Sequence, residues 1–195
     1  MNKKVLLGRM GLGLVCCACY WNSLWGEFVF DDLPAVQNNP DVRGSTPFWA
    51  LWQHDFWGAA LWKSTWTHLS YRPLTVLTYR WNHTVHGLKV TGYHVVNVGL
   101  HLLNTLLVHR LAEKLQLVLS PKENPTWRAF AGYHWFSAAL FAVHPVCTEA
   151  VANIVGRAEL LSAFFSLCGI LYYFDAVISS SSTCKVTGST MGQVV

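Results

Sequence analysis

Apolar residues in this chain fall into four long blocks, not at the spread-out period of a single soluble core. They run from Val5 to Trp25 behind Lys3 and Lys4, from Tyr93 to Ala112, from Phe130 to Val143, and from Leu160 to Ile178. About 20 apolar residues in a helix cross a hydrocarbon core of about 30 Å, so the pattern predicts an all-α integral membrane protein. The first block reads as a signal peptide or a retained span. Its length, and its lack of a clean small-x-small cleavage site, favour the span, with Arg9 snorkelling to the interface. The third block is short and ends at His144-Pro145, and it is expected to complete its crossing with Trp127 and Val146. The predicted spans are therefore about 5–25, 93–112, 129–146 and 159–178, all within a membrane domain of residues 1–178. The serine-rich stretch 179–195 reads as a disordered tail.

Polar residues inside these blocks are patterned too. His94, Asn97, His101 and Asn104 recur at spacings of three and four, which places them on one helical face. Such a stripe faces protein or a cavity, either as hydrogen-bonding glue between helices or as the lining of a proton or substrate path. The stretch between the first two blocks, 26–92, is more aromatic than a solvated linker, with Phe48-Trp49-Ala50-Leu51-Trp52 and Phe56-Trp57 through Trp62. Trp and Tyr favour the headgroup region. After Pro73, Leu74, Leu77, Trp81 and Val85 recur at helical spacing, as expected of an amphipathic helix lying in the membrane plane. A sequon, Asn82-His83-Thr84, falls within that helix.

Charge orients the spans. Lys3, Lys4 and Arg9 at the amino terminus and Arg110, Lys114, Lys122 and Arg128 between the second and third blocks fall on one side if all four blocks cross. The positive-inside rule makes that side cytoplasmic, leaving loops 26–92 and 147–158 on the opposite, luminal face. The composition agrees with a lipid solvent: of 195 residues 52% are hydrophobic and 12% charged, about half the charged share of a soluble domain. The net charge of +4 is scattered, without the basic runs that grip nucleic acid. Four of the six cysteines lie inside apolar blocks, and neither a disulfide framework nor a zinc site is indicated.

Two short luminal stretches carry candidate chemistry. Asp31 and Asp32 follow the aromatic run Phe28-Val29-Phe30 at the membrane surface, where a carboxylate is costly unless it is used or paired. An Asp raised in pKa by burial or by an acidic neighbour can take a proton from a hydroxyl nucleophile; the plainer alternative is ordinary turn chemistry. In the second stretch, Arg157 suits a phosphate, with His144, Glu149 and Glu159 in support and Arg72 of the long loop as a second cation. Arg157 and Glu159 read equally well as an ion pair between helices.

Phe28-Val29-Phe30-Asp31-Asp32, Asn38-Asn39-Pro40-Asp41, His54-Asp55-Phe56-Trp57-Gly58, Ser70-Tyr71-Arg72-Pro73-Leu74-Thr75, Tyr93-His94-Val95-Val96-Asn97, His144-Pro145-Val146-Cys147-Thr148-Glu149 and Val155-Gly156-Arg157-Ala158-Glu159 together resemble the TMTC proteins. These are membrane O-mannosyltransferases of the endoplasmic reticulum that carry tetratricopeptide repeats. The resemblance implies a helix bundle of the lipid-donor (GT-C type) glycosyltransferase class with a structured luminal loop after the first span. It also implies transfer of mannose from dolichyl phosphate mannose to Ser or Thr hydroxyls of luminal proteins such as cadherins. By that analogy Asp31 is the general base and Asp32 its helper, while Arg157 and Arg72 bind the donor phosphate. No cofactor beyond the donor is expected, and a divalent metal is left open. The family commonly carries Lys where this chain has Leu69 and His where it has Cys147. The family also continues into further spans and repeats, so the chain is expected to be a fragment, a truncated isoform or an incomplete gene model. Rival readings are a catalytically inactive membrane scaffold or adaptor, and a channel or transporter using the His94 stripe.

Overall fold

The computed structural model describes residues 3–63, 67–119 and 132–190. Helix α1 (Lys3–Tyr20) continues through a 3-10 turn, Trp21–Trp25. Short turns at Leu33–Gln37 and Phe48–Trp52 precede α2 (Pro73–His86) and α3 (Val90–Leu119). They are followed by α4 (Tyr133–Val143), α5 (Cys147–Ala152) and α6 (Arg157–Thr190). Three stretches are long and apolar enough to cross a membrane: Lys3–Trp25, Val90–Val118 and Arg157–Ile178. They contain the first, second and fourth predicted spans and extend them by a few residues. The third predicted span is seen only as the eleven residues of α4, about 17 Å at the helical rise and too short by itself to cross. Trp127 and the rest of its first part lie outside the described residues. Its end is sharp because Pro145 disfavours helical backbone at His144, which takes φ −66°, ψ 127°.

Helix α6 continues to Thr190, through the serines read from sequence as a disordered tail. No proline interrupts that stretch and serine is only mildly unfavourable in a helix, so a helix already nucleated by its apolar part propagates into it. Residues 191–195 lie outside the description.

The helices alternate in direction around α3. At one end of α3 Arg157 Nε donates to Asn97 Oδ1 (2.8 Å), and toward the other end Lys114 pairs with Asp175, so α3 and α6 run parallel. Both α1 and α4 run against them: the Tyr20 ring meets His101 edge-on at 5.2 Å, the Phe141 ring stacks on His101 at 5.3 Å, and Trp135 lies 4.0 Å from His109 a little over two turns further along α3. The polar stripe of α3 is the seam of this packing. His101 Nε2 lies 3.1 Å from the Ala142 carbonyl of α4, Asn104 Nδ2 donates to the Leu160 carbonyl of α6 (2.9 Å), and Asn97 Nδ2 donates to the Asn153 carbonyl (2.9 Å). These three side chains are fully buried, and their bonds are those of helix-to-helix glue.

Residues 26–63 and 67–92 fold into a cap over one end of the bundle. Val36, Val42, Leu51, Phe56, Val76 and Tyr79 bury their side chains together with Tyr93 at the start of α3 and Ile154 before α6. Phe56 therefore points into protein and not toward lipid, whereas Phe48, Trp49, Trp52 and Trp62 remain exposed. Buried polar groups replace regular secondary structure in holding the cap. Asn39 Nδ2 donates to the carbonyls of Ala35 and Phe56, both at 3.0 Å, and the Asp55 carboxylate accepts from the Trp57 and Ala59 amides and from Thr67 Oγ1. Gly58, at φ +84°, is required between them, since a Cβ there would stand 2.6 Å from Asn39 Oδ1. In α2 the two faces divide: Thr75, Val76, Tyr79 and Asn82 are buried against the cap and bundle, while Leu74, Trp81 and Val85 form an exposed apolar stripe.

Arg157 joins these parts. It is fully buried, and besides Asn97 it donates through Nη2 to Asn82 Oδ1 and the Tyr93 carbonyl, each at 3.0 Å. Its Cζ lies 4.7 Å from the Tyr79 ring centroid and 5.6 Å from that of Tyr93. Replacing Arg157 with Met should sharply lower the thermal unfolding midpoint of the solubilised chain, because each acceptor left bare costs about 1–3 kcal/mol. An unchanged midpoint would contradict this role. The same network predicts that the Asn82 sequon stays unmodified, as its amide is 5% exposed and its two polar atoms are engaged with Arg157 and His86. Treatment with an N-glycosidase should leave the electrophoretic mobility unchanged.

Candidate functional site

The acidic pair divides its labour. Asp32 is 1% exposed; its Oδ2 accepts from the Val29 amide (3.2 Å) and its Oδ1 from the Val155 amide (3.1 Å). This carboxylate therefore ties the segment after the first span to the turn before α6. Gly156 allows the second segment to come this close, because a Cβ there would stand 2.5 Å from the Ala150 carbonyl oxygen of α5. Burial pushes the Asp32 carboxyl above the usual carboxylate range; the two amides oppose the shift and neighbouring Asp31 adds to it. Asp31, by contrast, is exposed. Just before it Phe30 adopts φ +44° with its ring 90% exposed, a left-handed conformation that costs a non-glycine residue about 1–2 kcal/mol.

Asp31 lines an open cavity of about 630 Å³ together with Trp57, His68, Ser70, Arg72 and Val155. The Arg72 guanidinium lies over the Phe56 ring, 5.0 Å from its centroid. Arg72 also lines an adjoining groove of about 730 Å³, where Leu74 of α2 faces Glu159, Leu161 and Phe165 of α6. Arg72 thus lines both a cavity that holds the exposed Asp31 carboxylate and a groove along a membrane-length helix, and apolar surface predominates in both. This arrangement can accept a ligand with an anionic group between a polar head and an apolar tail.

Of the residues singled out from sequence, Asp31 and Arg72 share the first cavity, and Glu159 joins Arg72 in the groove. Asp32 stands beside them as a brace. Arg157 does not fit the phosphate-binding role read for it: its hydrogen-bonding groups are engaged inside the protein, no carboxylate is among its bonded partners, and it presents no surface to a ligand. Nor does it pair with Glu159, which is exposed. His144 lies elsewhere, in a smaller apolar recess with Val108, Tyr133 and Cys147, and Glu149 is exposed on α5. Neither lines the Asp31 cavity. His68 and Ser70 carry no site role in the sequence pattern, although Ser70 opens the Ser70-Tyr71-Arg72-Pro73 motif; the available signal was their position directly before Tyr71-Arg72-Pro73 in an otherwise aromatic loop. Among the described residues, no three His, Cys, Asp or Glu side chains gather closely enough to hold a metal ion.

The division between the two carboxylates is testable by stability. Asp32→Ala should lower stability by about 1–3 kcal/mol through the two unpaired amides, whereas Asp31→Asn should leave the melting temperature unchanged. The folded chain keeps the Asp32 proton to higher pH than the unfolded chain does. The Asp32 contribution therefore makes stability fall as pH rises from about 3.9 to the raised value. Melting curves of the solubilised chain with and without Asp32→Asn should differ by that decline.

Three relatives place the chain in its family. It is 40% identical over 183 residues to protein O-mannosyl-transferase Tmtc3 of Drosophila melanogaster, covering 90% of this chain and 20% of that protein. It is 47% identical over 158 residues to protein O-mannosyl-transferase TMTC1 of Mus musculus, covering 80% and 16%. With protein O-mannosyl-transferase TMTC4 of Homo sapiens it shares 41% over 175 residues, covering 89% and 24%. No family model matches, and no solved structure matches. The chain spans about a fifth of the length of these curated relatives. With 40–47% identity sustained along 80–90% of its own length, the chain belongs to the TMTC family.

Proposed function

We propose that this chain forms the donor-side part of a protein O-mannosyltransferase of the lipid-donor (GT-C type) class. In this reading it moves mannose from dolichyl phosphate mannose to Ser or Thr hydroxyls of luminal proteins such as cadherins. The observation that carries the reading is the position of Arg72, common to the Asp31 cavity and to the apolar groove on α6. The lipid phosphate is held at Arg72, its polyprenyl chain runs along Leu74, Leu161 and Phe165, and the sugar faces Asp31. Asp31 takes the proton from the acceptor hydroxyl as its oxygen bonds to the sugar C1. The bond from C1 to the phosphate oxygen breaks, and its electron pair leaves with the lipid phosphate. Preorganised positive charge at Arg72 stabilises that departure. Asp32, held by Val29 and Val155, fixes the backbone that presents Asp31. The membrane is that of the endoplasmic reticulum, with the amino terminus cytoplasmic and the Asp31 cavity luminal.

Relatives named protein O-mannosyl-transferase support this activity, and the cavity supports the roles of Asp31 and Arg72. The direct test is mannose transfer from dolichyl phosphate mannose to a Ser/Thr peptide in membranes holding the full chain. Loss of a general base costs about 10²–10⁴-fold, so Asp31→Asn should abolish detectable transfer while donor binding persists. Transfer undiminished by Asp31→Asn would overturn the assignment. Donor binding without transfer in the unsubstituted chain would favour the scaffold reading.

A further inference from the structure

Residues 67–72 form an irregular arm along one wall of the Asp31 cavity. The arm is pinned at two points: Thr67 Oγ1 donates to Asp55 Oδ2 (2.6 Å), and the Ser70 carbonyl accepts from the Phe56 amide (2.7 Å). Between these points Leu69 adopts φ +55°, a conformation costly for a leucine by about 1–2 kcal/mol. Leu69 recovers nothing by burial, since it is 69% exposed. What the strained backbone achieves is the placement of its neighbours, because His68 and Ser70 both line the cavity with Arg72 and Asp31. The His68 ring is further set against the edge of Trp57, 6.2 Å between centroids. Strain at Phe30 on the Asp31 side and at Leu69 on the opposite arm thus flanks one cavity, as is common where a binding geometry is held in advance.

A sugar-linked lipid phosphate carries one negative charge while bound and two once the sugar has left. A single guanidinium balances the first charge; a second donor gains strength as the other develops, which is the pattern that favours the transition state over the bound substrate. We propose that His68 is a second phosphate-binding residue, donating a ring N–H to an oxygen of the phosphate held by Arg72, with the Ser70 hydroxyl as a third donor. This rests on the lipid-phosphate donor reading given above. The acceptor proton still goes to Asp31, the C1–oxygen bond breaks toward the phosphate, and His68 shares the charge that accumulates there.

The test uses the full chain in lipid nanodiscs, titrated with dolichyl phosphate mannose and, as a neutral comparator, dolichol. A lost charge-assisted hydrogen bond corresponds to roughly tenfold in affinity. His68→Ala is expected to weaken binding of the phosphate-bearing lipid by about that factor while dolichol binding stays unchanged. His68→Arg should restore it, and His68→Gln should fall between. A merely structural His68 would lose both lipids together and would not be rescued by Arg. If the unsubstituted chain prefers the phosphate-bearing lipid and His68→Ala keeps that preference, the inference falls and the donor reading stands. If the unsubstituted chain shows no preference, the donor reading falls and the inference with it. Should His68→Ala fail to fold, Arg against Gln decides, because equal binding by those two variants overturns the proposal.

Discussion

A guanidinium removed from water keeps its charge only where protein atoms replace its hydration. Arg157 is held in that way by oxygens from α2 and α3 and by the faces of two tyrosines. The rest of the structure follows from that requirement. Asn97 fixes the start of α6 against the start of α3, and Asn82 fixes the cap helix on both. Ile154 and Tyr93 are thereby brought into the apolar core of the cap. In a membrane protein, burial of apolar surface between helices supplies little drive, since lipid is as apolar as leucine. A charged hub with several acceptors supplies direction and register instead.

The cavity depends on the hub at one remove. Arg157 sets the turn that precedes α6, and the Val155 amide in that turn reaches the Asp32 carboxylate. Asp32 in turn holds the strained backbone that leaves Asp31 facing outward. The opposite wall is set by a second polar centre, Asp55, which gathers two backbone amides and Thr67. Two buried carboxylates therefore shape the cavity, while the exposed Asp31 lines it. Arg72, positioned by the Phe56 ring, lies where the Asp31 cavity meets the groove on α6.

Much of this architecture is legible in the residues themselves. Block length marked three helices long and apolar enough to cross a membrane, and the Asp31 and Arg157 loops, expected from the charge count on one face, are joined by the bond from Val155 to Asp32. The three-four spacing of Asn97, His101 and Asn104 marked a buried face, though spacing alone left open whether it served as glue or as a pathway. Other features depended on packing that pattern reading does not capture. Arginine is chemically suited to phosphate wherever it occurs, and only the enclosure by Asn82, Asn97 and Tyr79 shows that Arg157 serves the fold. No sequence signal gives His68 and Ser70 a role, because a loop without regular structure has no period, and the left-handed turn at Leu69 that presents them has no glycine to mark it. The serines after Ile178 suggested a disordered tail because composition does not register the helix already established upstream.

In the proposed donor complex a phosphate-linked lipid lies between the cap and α6, its phosphate at Arg72 and its head toward Asp31. Photocrosslinking with a diazirine-bearing dolichyl phosphate mannose analogue, followed by peptide mapping, tests it most directly. Labels are expected on Leu74 and on the α6 turn containing Leu161 and Phe165. Labelling confined to the recess of Val108, Tyr133 and Cys147 would contradict it.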